Sequence, residues 1–164
     1  MLLRTRAAID DCEIHLNESN SWNTEVESYL TQYILVILSA DVQQSVYSLL
    51  SARIASSRSD DAGLKSFAYS MGVKCLRSFI KGDLSNFLGL FGDRVKQSFN
   101  QELDDRVVTT YNNALSKRHE VAHNSGVTTT FRELSGIYAA AVKILEAMDS
   151  SLKLAEEPSA LGPD

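Results

Sequence analysis

The 164-residue chain holds only two prolines, eight glycines and one tryptophan. So few chain breakers suit long helices and leave too few turn residues for a strand-rich sandwich or barrel. Cysteine is scarce too. Neither Cys12 nor Cys75 has a Cys-x-x-Cys partner, which excludes a zinc ribbon or a thioredoxin-like site, and both read as buried reduced thiols. No apolar run approaches the ~20 residues of a membrane span. The longest near-apolar stretch is Tyr33 to Ala40, and Arg4 and Arg6 follow Met1 too closely for a signal-peptide core. The expectation is a cytoplasmic protein with no membrane partner. Gly89-x-x-Gly92 has neither the preceding strand nor the lysine of a phosphate loop. Positive charge is also short. A net charge of -5 argues against a surface broadly coated for nucleic acid.

What is present is helical periodicity. With 44% apolar residues the chain can bury a sizeable core. Leu3, Ala7, Ile9, Ile14 and Leu16 mark an amphipathic first helix. A second is capped at Asn23 or Thr24 and runs to about Ser56. Its Tyr29 to Leu38 segment is apolar almost all round, as in a central helix covered on most sides. Asp41 interrupts it, and reads either as exposed or as the partner of a buried base. A third helix carries Leu64, Phe67, Met71, Cys75, Leu76 and Phe79, with Gly72 weakening its middle and Lys81-Gly82-Asp83 ending it. Residues 83 to 103 form a pair of short helices broken at Gly92 and capping the bundle. A further helix starts at Asp104 or Asp105 and stops at Asn124-Ser125-Gly126. Thr130-Phe131-Arg132-Glu133 is a capping box for the last helix. No strand or internal repeat is visible. The fold class is therefore all-α, an antiparallel bundle of four to five long helices with short capping helices. It forms one domain over 1–154 with a mobile tail at 155–164.

Charge is unevenly spread. From Arg53 to Lys96 there are eight Lys/Arg and four Asp, a local balance of +4 that leaves -9 elsewhere. A basic face including Lys74, Arg77 and Lys81 is compatible with the acidic total.

The chemistry concentrates in Lys117-Arg118-His119-Glu120-Val121-Ala122-His123-Asn124. On an ideal wheel, with Tyr111 at zero, the apolar arc spans about 280° to 60° and Arg118 falls near its centre, at about 340°. A guanidinium keeps its proton and must find acceptors or water. Arg118 therefore pairs with a buried carboxylate, Asp41 being one candidate, or reaches into a cleft or interface where an anion binds. Arg118 and His123 can converge at a helix end. Arginine holds phosphate through paired N–H bonds, and histidine moves protons near neutrality. The same stretch also matches His-Glu-x-x-His, with His119 and His123 as zinc ligands and Glu120 as base. Against zinc, Thr129 stands where the longer pattern needs a third histidine, and no strand is available to hold substrate.

Arg118-His119-x-x-x-His123 at the end of the penultimate helix, with the long helix over Tyr33 to Ala55, the Phe87-Leu88-Gly89-Leu90-Phe91-Gly92 segment and the capped final helix from Thr130, resembles the HEPN superfamily. The closest likeness is to its RiboL-PSP-HEPN branch, over roughly residues 3 to 150. The resemblance implies an endoribonuclease that needs no metal or other cofactor. Arg118 would stabilise the scissile phosphate, His123 would be the acid/base and His119 would assist. Lys117, Asn124, Lys74, Arg77 and Lys81 would contact RNA. It also implies a homodimer with a composite active site, and a toxin or defence effector with an antitoxin or neighbouring defence protein as partner. A helical interaction module without catalysis is the alternative. The chain departs from the pattern at His119, where asparagine is common, at Asn124, where glycine is common, and at Gln43, where a glutamate is expected.

Overall fold

The computed structural model describes residues 2–121 and 129–155, the side chains of 117–121 excepted. Among these residues all regular structure is helical, as the residue pattern predicts. The long helices are α1 (Leu3–Glu18), α2 (Glu25–Ala55), α3 (Ala62–Cys75), α6 (Asp105–Val121) and α7 (Leu134–Leu154). Two short ones, α4 (Lys81–Leu88) and α5 (Asp93–Gln101), meet at a 3-10 turn over Gly89–Phe91. Gly92 follows with φ 118°, a backbone conformation that favours glycine.

Helix α2 is the axis of the bundle, with α1, α6 and α7 packed on it. Its Ile34, Leu35, Leu38, Val42, Val46 and Leu50 are buried in one shared core with Tyr111 of α6 and Ile144 and Leu145 of α7. By length and hydropathy α2 matches a membrane-crossing helix, but its apolar face is spent on these neighbours. It is less enclosed than its composition predicts. Tyr29, Tyr33 and Val36, at i, i+4 and i+7, lie on an exposed face.

The helix starts are specified locally. Thr24 caps α2, its Oγ1 accepting from the Val26 N–H at 3.2 Å. Glu27 accepts from the N–H groups of Asn23 at 2.7 Å and Phe131 at 3.3 Å, tying the start of α2 to the chain just before α7. Glu133 accepts from the Thr130 N–H at 2.7 Å, as the capping box predicts.

Asp41 is buried, at 6% exposure, rather than exposed. Its Oδ2 accepts from the Thr5 backbone N–H at 2.8 Å and from Thr5 Oγ1 at 2.9 Å. The first turn of a helix has N–H groups with no intrahelical partner, and its end carries partial positive charge. Asp41 thus caps α1 from α2. Leu2, in the N-cap position at φ 56°, has no side chain able to do so.

Three further expectations are corrected. The third helix stops at Cys75, and Lys81 opens α4 instead of ending α3. Residues 76–80 form a non-helical connector, because tertiary bonds take over its polar groups. Tyr111 donates its hydroxyl to the Phe79 carbonyl at 2.5 Å, and the Lys81 N–H donates to Asn112 Oδ1 at 2.9 Å. Cys12 is buried as expected, with its thiol pKa raised by burial and by the charge of Asp11, but Cys75 is exposed.

Candidate active site

Helix α6 carries the motif. The side chain of Asp104 starts it, accepting from the Val107 N–H at 2.8 Å. Tyr111, Ala114 and Leu115 are buried and fix which face of α6 meets the bundle. Lys117, Arg118 and His119 belong to α6, while His123 and Asn124 lie outside the described residues. For Lys117, Arg118 and His119 only the helical position is used. Arg118 follows Ala114 by four and Leu115 by three. His119 stands in the same relation to Leu115 and Ser116.

Two clefts adjoin the earlier part of α6. One, of about 490 Å³, is lined by Ser39, Gln43 and Tyr47 of α2, Leu76 to Ile80 of the connector, and Leu115 and Ser116 of α6. The other, of about 370 Å³, is lined by Arg106, Thr110, Asn113 and Ala114 of α6 with Thr129, Arg132, Glu133, Gly136 and Ile137. Leu115 borders the first and Ala114 the second, and Arg118 stands one turn beyond both along α6.

The first cleft is the larger of the two. Its wall is polar along one edge of an otherwise apolar helix. Gln43 Nε2 donates to the Tyr47 hydroxyl at 3.1 Å, and Tyr47 meets the Phe79 ring edge-on at 5.7 Å between centroids. Arg77 brings positive charge to the cleft. Lys74 is exposed one turn earlier, in the last turn of α3. Lys81 turns inward. Its Nζ donates to Asn100 Oδ1 at 2.5 Å, an oxygen that also accepts from Ser85 Oγ at 3.0 Å. The phenol of Tyr111 beneath this wall has its pKa pushed up by burial.

Sequence reasoning did not place Ser39, Tyr47 or Ser116 at the site. The available signal was the row Ser39, Gln43, Tyr47 at i, i+4 and i+8, a polar edge on an apolar helix. For the zinc alternative, His119 is within α6 and His123 lies outside the described residues. Among the described residues no three His, Cys, Asp or Glu side chains cluster as metal ligands.

No curated protein and no solved structure matches the chain. The family model of RiboL-PSP-HEPN matches residues 2–154, nearly the whole helical fold and all of the Arg118–His123 stretch, and the chain belongs to that family.

Proposed function

We propose that this protein is a metal-independent endoribonuclease. The observation that carries the reading is the place of Arg118 and His119 on α6, one turn beyond Leu115 and Ser116, which line a polar cleft together with Arg77. Membership of a HEPN family supports the same assignment. In the proposed reaction an RNA 2′-OH loses its proton to a base and attacks the adjacent phosphorus. The bond to the 5′-oxygen breaks, that oxygen takes up a proton, and a 2′,3′-cyclic phosphate is left. His123 is the acid/base and His119 assists it. Arg118 offsets the charge gathering on the phosphoryl oxygens through paired N–H bonds. Lys117, Asn124, Lys74 and Arg77 hold the flanking strand, and Lys81 adds positive potential from its seat at Asn100. Two copies face each other so that both motifs line one cleft. The setting is cytoplasmic, and a toxin or defence role with an antitoxin partner fits an RNA-cleaving domain of this kind.

The test is incubation of pure protein with end-labelled RNA, with and without EDTA, beside Arg118→Ala and His123→Ala. Cleavage that survives EDTA and disappears in both variants is expected. Activity intact in His123→Ala would sink the proposal. Absence of cleavage by a stable dimer would favour the non-catalytic module, and cleavage abolished by EDTA would favour a metal-dependent site.

A further inference from the structure

The second cleft, of about 370 Å³, has no lining residue in common with the first and no part in the ribonuclease reading. Arg106, Thr110 and Asn113, at i, i+4 and i+7, form one polar row along α6 and supply one side of it. Arg132 and Glu133, just before α7, stand on the other side. Ala114 and Ile137, both buried, give the lining an apolar part, and Gly136 lies beside Ile137. The volume is within the range of small-molecule sites.

Two guanidiniums line this one cleft. Among the described residues, neither side chain has a hydrogen bond or an ion pair. A guanidinium keeps its charge, so two in one cleft repel each other and draw an anion between them. Glu133 is the carboxylate of the lining. Its Oε2 already accepts from the Thr130 N–H at 2.7 Å and from Thr130 Oγ1 at 3.2 Å. One carboxylate against two guanidiniums leaves the lining positive.

Gly136 points the same way. It lies in the first turn of α7, where glycine is a poor helix former. Its φ is not in the left-handed region, and a Cβ added to it would meet no atom within 4 Å. Neither a turn nor a close packing contact therefore calls for glycine. What the missing side chain leaves open is the cleft.

We propose that this cleft binds a nucleotide by a terminal phosphate. A carboxylate presents two oxygens, which one arginine holds through paired N–H bonds. A phosphate monoester presents three oxygens and a charge of about -1.5 to -2, enough to be shared by Arg106 and Arg132. The Thr110 hydroxyl and the Asn113 amide can each donate and accept, as sugar hydroxyls and base edges require. The sugar or base has apolar surface at Ala114 and Ile137, over the space that Gly136 leaves. A free mononucleotide and the phosphorylated end of an RNA strand carry the same group. The proposal goes beyond the ribonuclease reading and rests on none of it.

Isothermal titration of the full chain with 5′-AMP, 3′-AMP, adenosine and inorganic phosphate tests this. One of the two mononucleotides is expected to bind most tightly, inorganic phosphate more weakly and adenosine least. Arg106→Gln and Arg132→Gln should each weaken the mononucleotide about tenfold or more. Both side chains are exposed, so the melting temperature should stay where it is. Gly136→Leu should weaken the mononucleotide and leave inorganic phosphate near its wild-type affinity. Arg77→Gln, in the other cleft, should change neither. A short RNA phosphorylated at the matching end, titrated in a His123→Ala background beside its unphosphorylated form, separates the two sources. Tighter binding than the mononucleotide, lost without the phosphate, identifies a strand end; binding no tighter than the mononucleotide identifies the free nucleotide. The proposal would be overturned if no phosphorylated ligand bound, or if binding ignored both arginine variants. It would also be overturned if Arg77→Gln weakened binding instead, or if succinate displaced the mononucleotide as well as inorganic phosphate does. Mononucleotide binding indifferent to Gly136→Leu would overturn the place given to the sugar and base.

Discussion

Tyr111, fully buried in the middle of α6, holds the Phe79 carbonyl of the connector at 2.5 Å. That bond fastens the wall of the larger cleft to the helix that bears Arg118. Removing the hydroxyl leaves the carbonyl without this donor and forfeits about 1–2 kcal/mol, at the upper end because the group is largely shielded from water. Tyr111→Phe should therefore lower the urea midpoint while leaving helix content unchanged. Hydrogen exchange should quicken across 76–81 more than in α7. An unchanged midpoint would mean that the connector is held by Asn112 and apolar packing alone.

The same phenol gives the fold an alkaline limit. Burial raises the Tyr111 pKa in the folded state, whereas an unfolded tyrosine titrates near ~10. The folded state then keeps a proton that the unfolded state loses, so stability is intact below about pH 10 and declines above it. Urea titrations across that range should show a steeper alkaline decline for wild type than for Tyr111→Phe, which has no such proton. Parallel declines in the two proteins would rule out this linkage.

The buried Asp41 is expected to matter more than its visible ion pair. Arg4 Nε stands 3.6 Å from Asp41 Oδ1, but the arginine side chain is 72% exposed, and pairs of that kind contribute under about 1 kcal/mol. Thr5 is buried, and both of its donors depend on the carboxylate. Asp41→Ala should cost about 2–3 kcal/mol, Arg4→Ala a small fraction of that, and Asp41→Asn an intermediate amount because its amide oxygen still accepts. Equal losses for Arg4→Ala and Asp41→Ala in chemical denaturation would reverse this ranking.

Gly72 marks a close approach of α3 to α2. A Cβ built there would lie 2.6 Å from Leu50 Cδ2, and Leu50 is itself part of the core. Alanine gains up to about 1 kcal/mol in helix propensity, while overpacking costs about 1–3 kcal/mol, so the clash wins. Gly72→Ala should lower the melting temperature by a few degrees, and Leu50→Ala in the same chain should cost less than the two single losses combined. Strict additivity would show that α3 moves away without resistance.

The long helices were legible because each has a local signal that tertiary structure reinforces, as with Thr24 before α2 and Glu133 after Thr130. The motif was legible as a string, and Arg118 stood out as a cation in an apolar arc. What could not be read depends on contacts distant in sequence. Leu76 to Ile80 has helix-compatible residues and no glycine or proline, and Tyr111 and Asn112, some thirty residues on, draw it out of the helix. Asp41 looks like an interruption until Thr5 is brought to it. Leu64, Phe67 and Met71 have core periodicity but stay exposed among the described residues. Periodicity reports that a face is apolar, not whether the same chain buries it.

Arg77 is the basic-face residue that the fold delivers to the larger cleft, and it is exposed, so its substitution should leave stability within about 0.5 kcal/mol. On the ribonuclease reading it contacts a phosphate. Arg77→Glu, in a His123→Ala background that prevents cleavage, should weaken binding of a fluorescent single-stranded RNA about tenfold or more at low salt. The slope of log affinity against log salt should fall by about 0.7, the value for one phosphate contact on a single strand. Lys74→Glu, one turn farther out, should act in the same direction but less strongly. Lys81→Gln should act least, because the wild-type ammonium already donates to Asn100. Fluorescence anisotropy at two or more salt concentrations measures all three. If Lys81→Gln proved the most damaging and Arg77→Glu were silent, the strand would have to pass along α4 and α5 and not through the cleft beside α6.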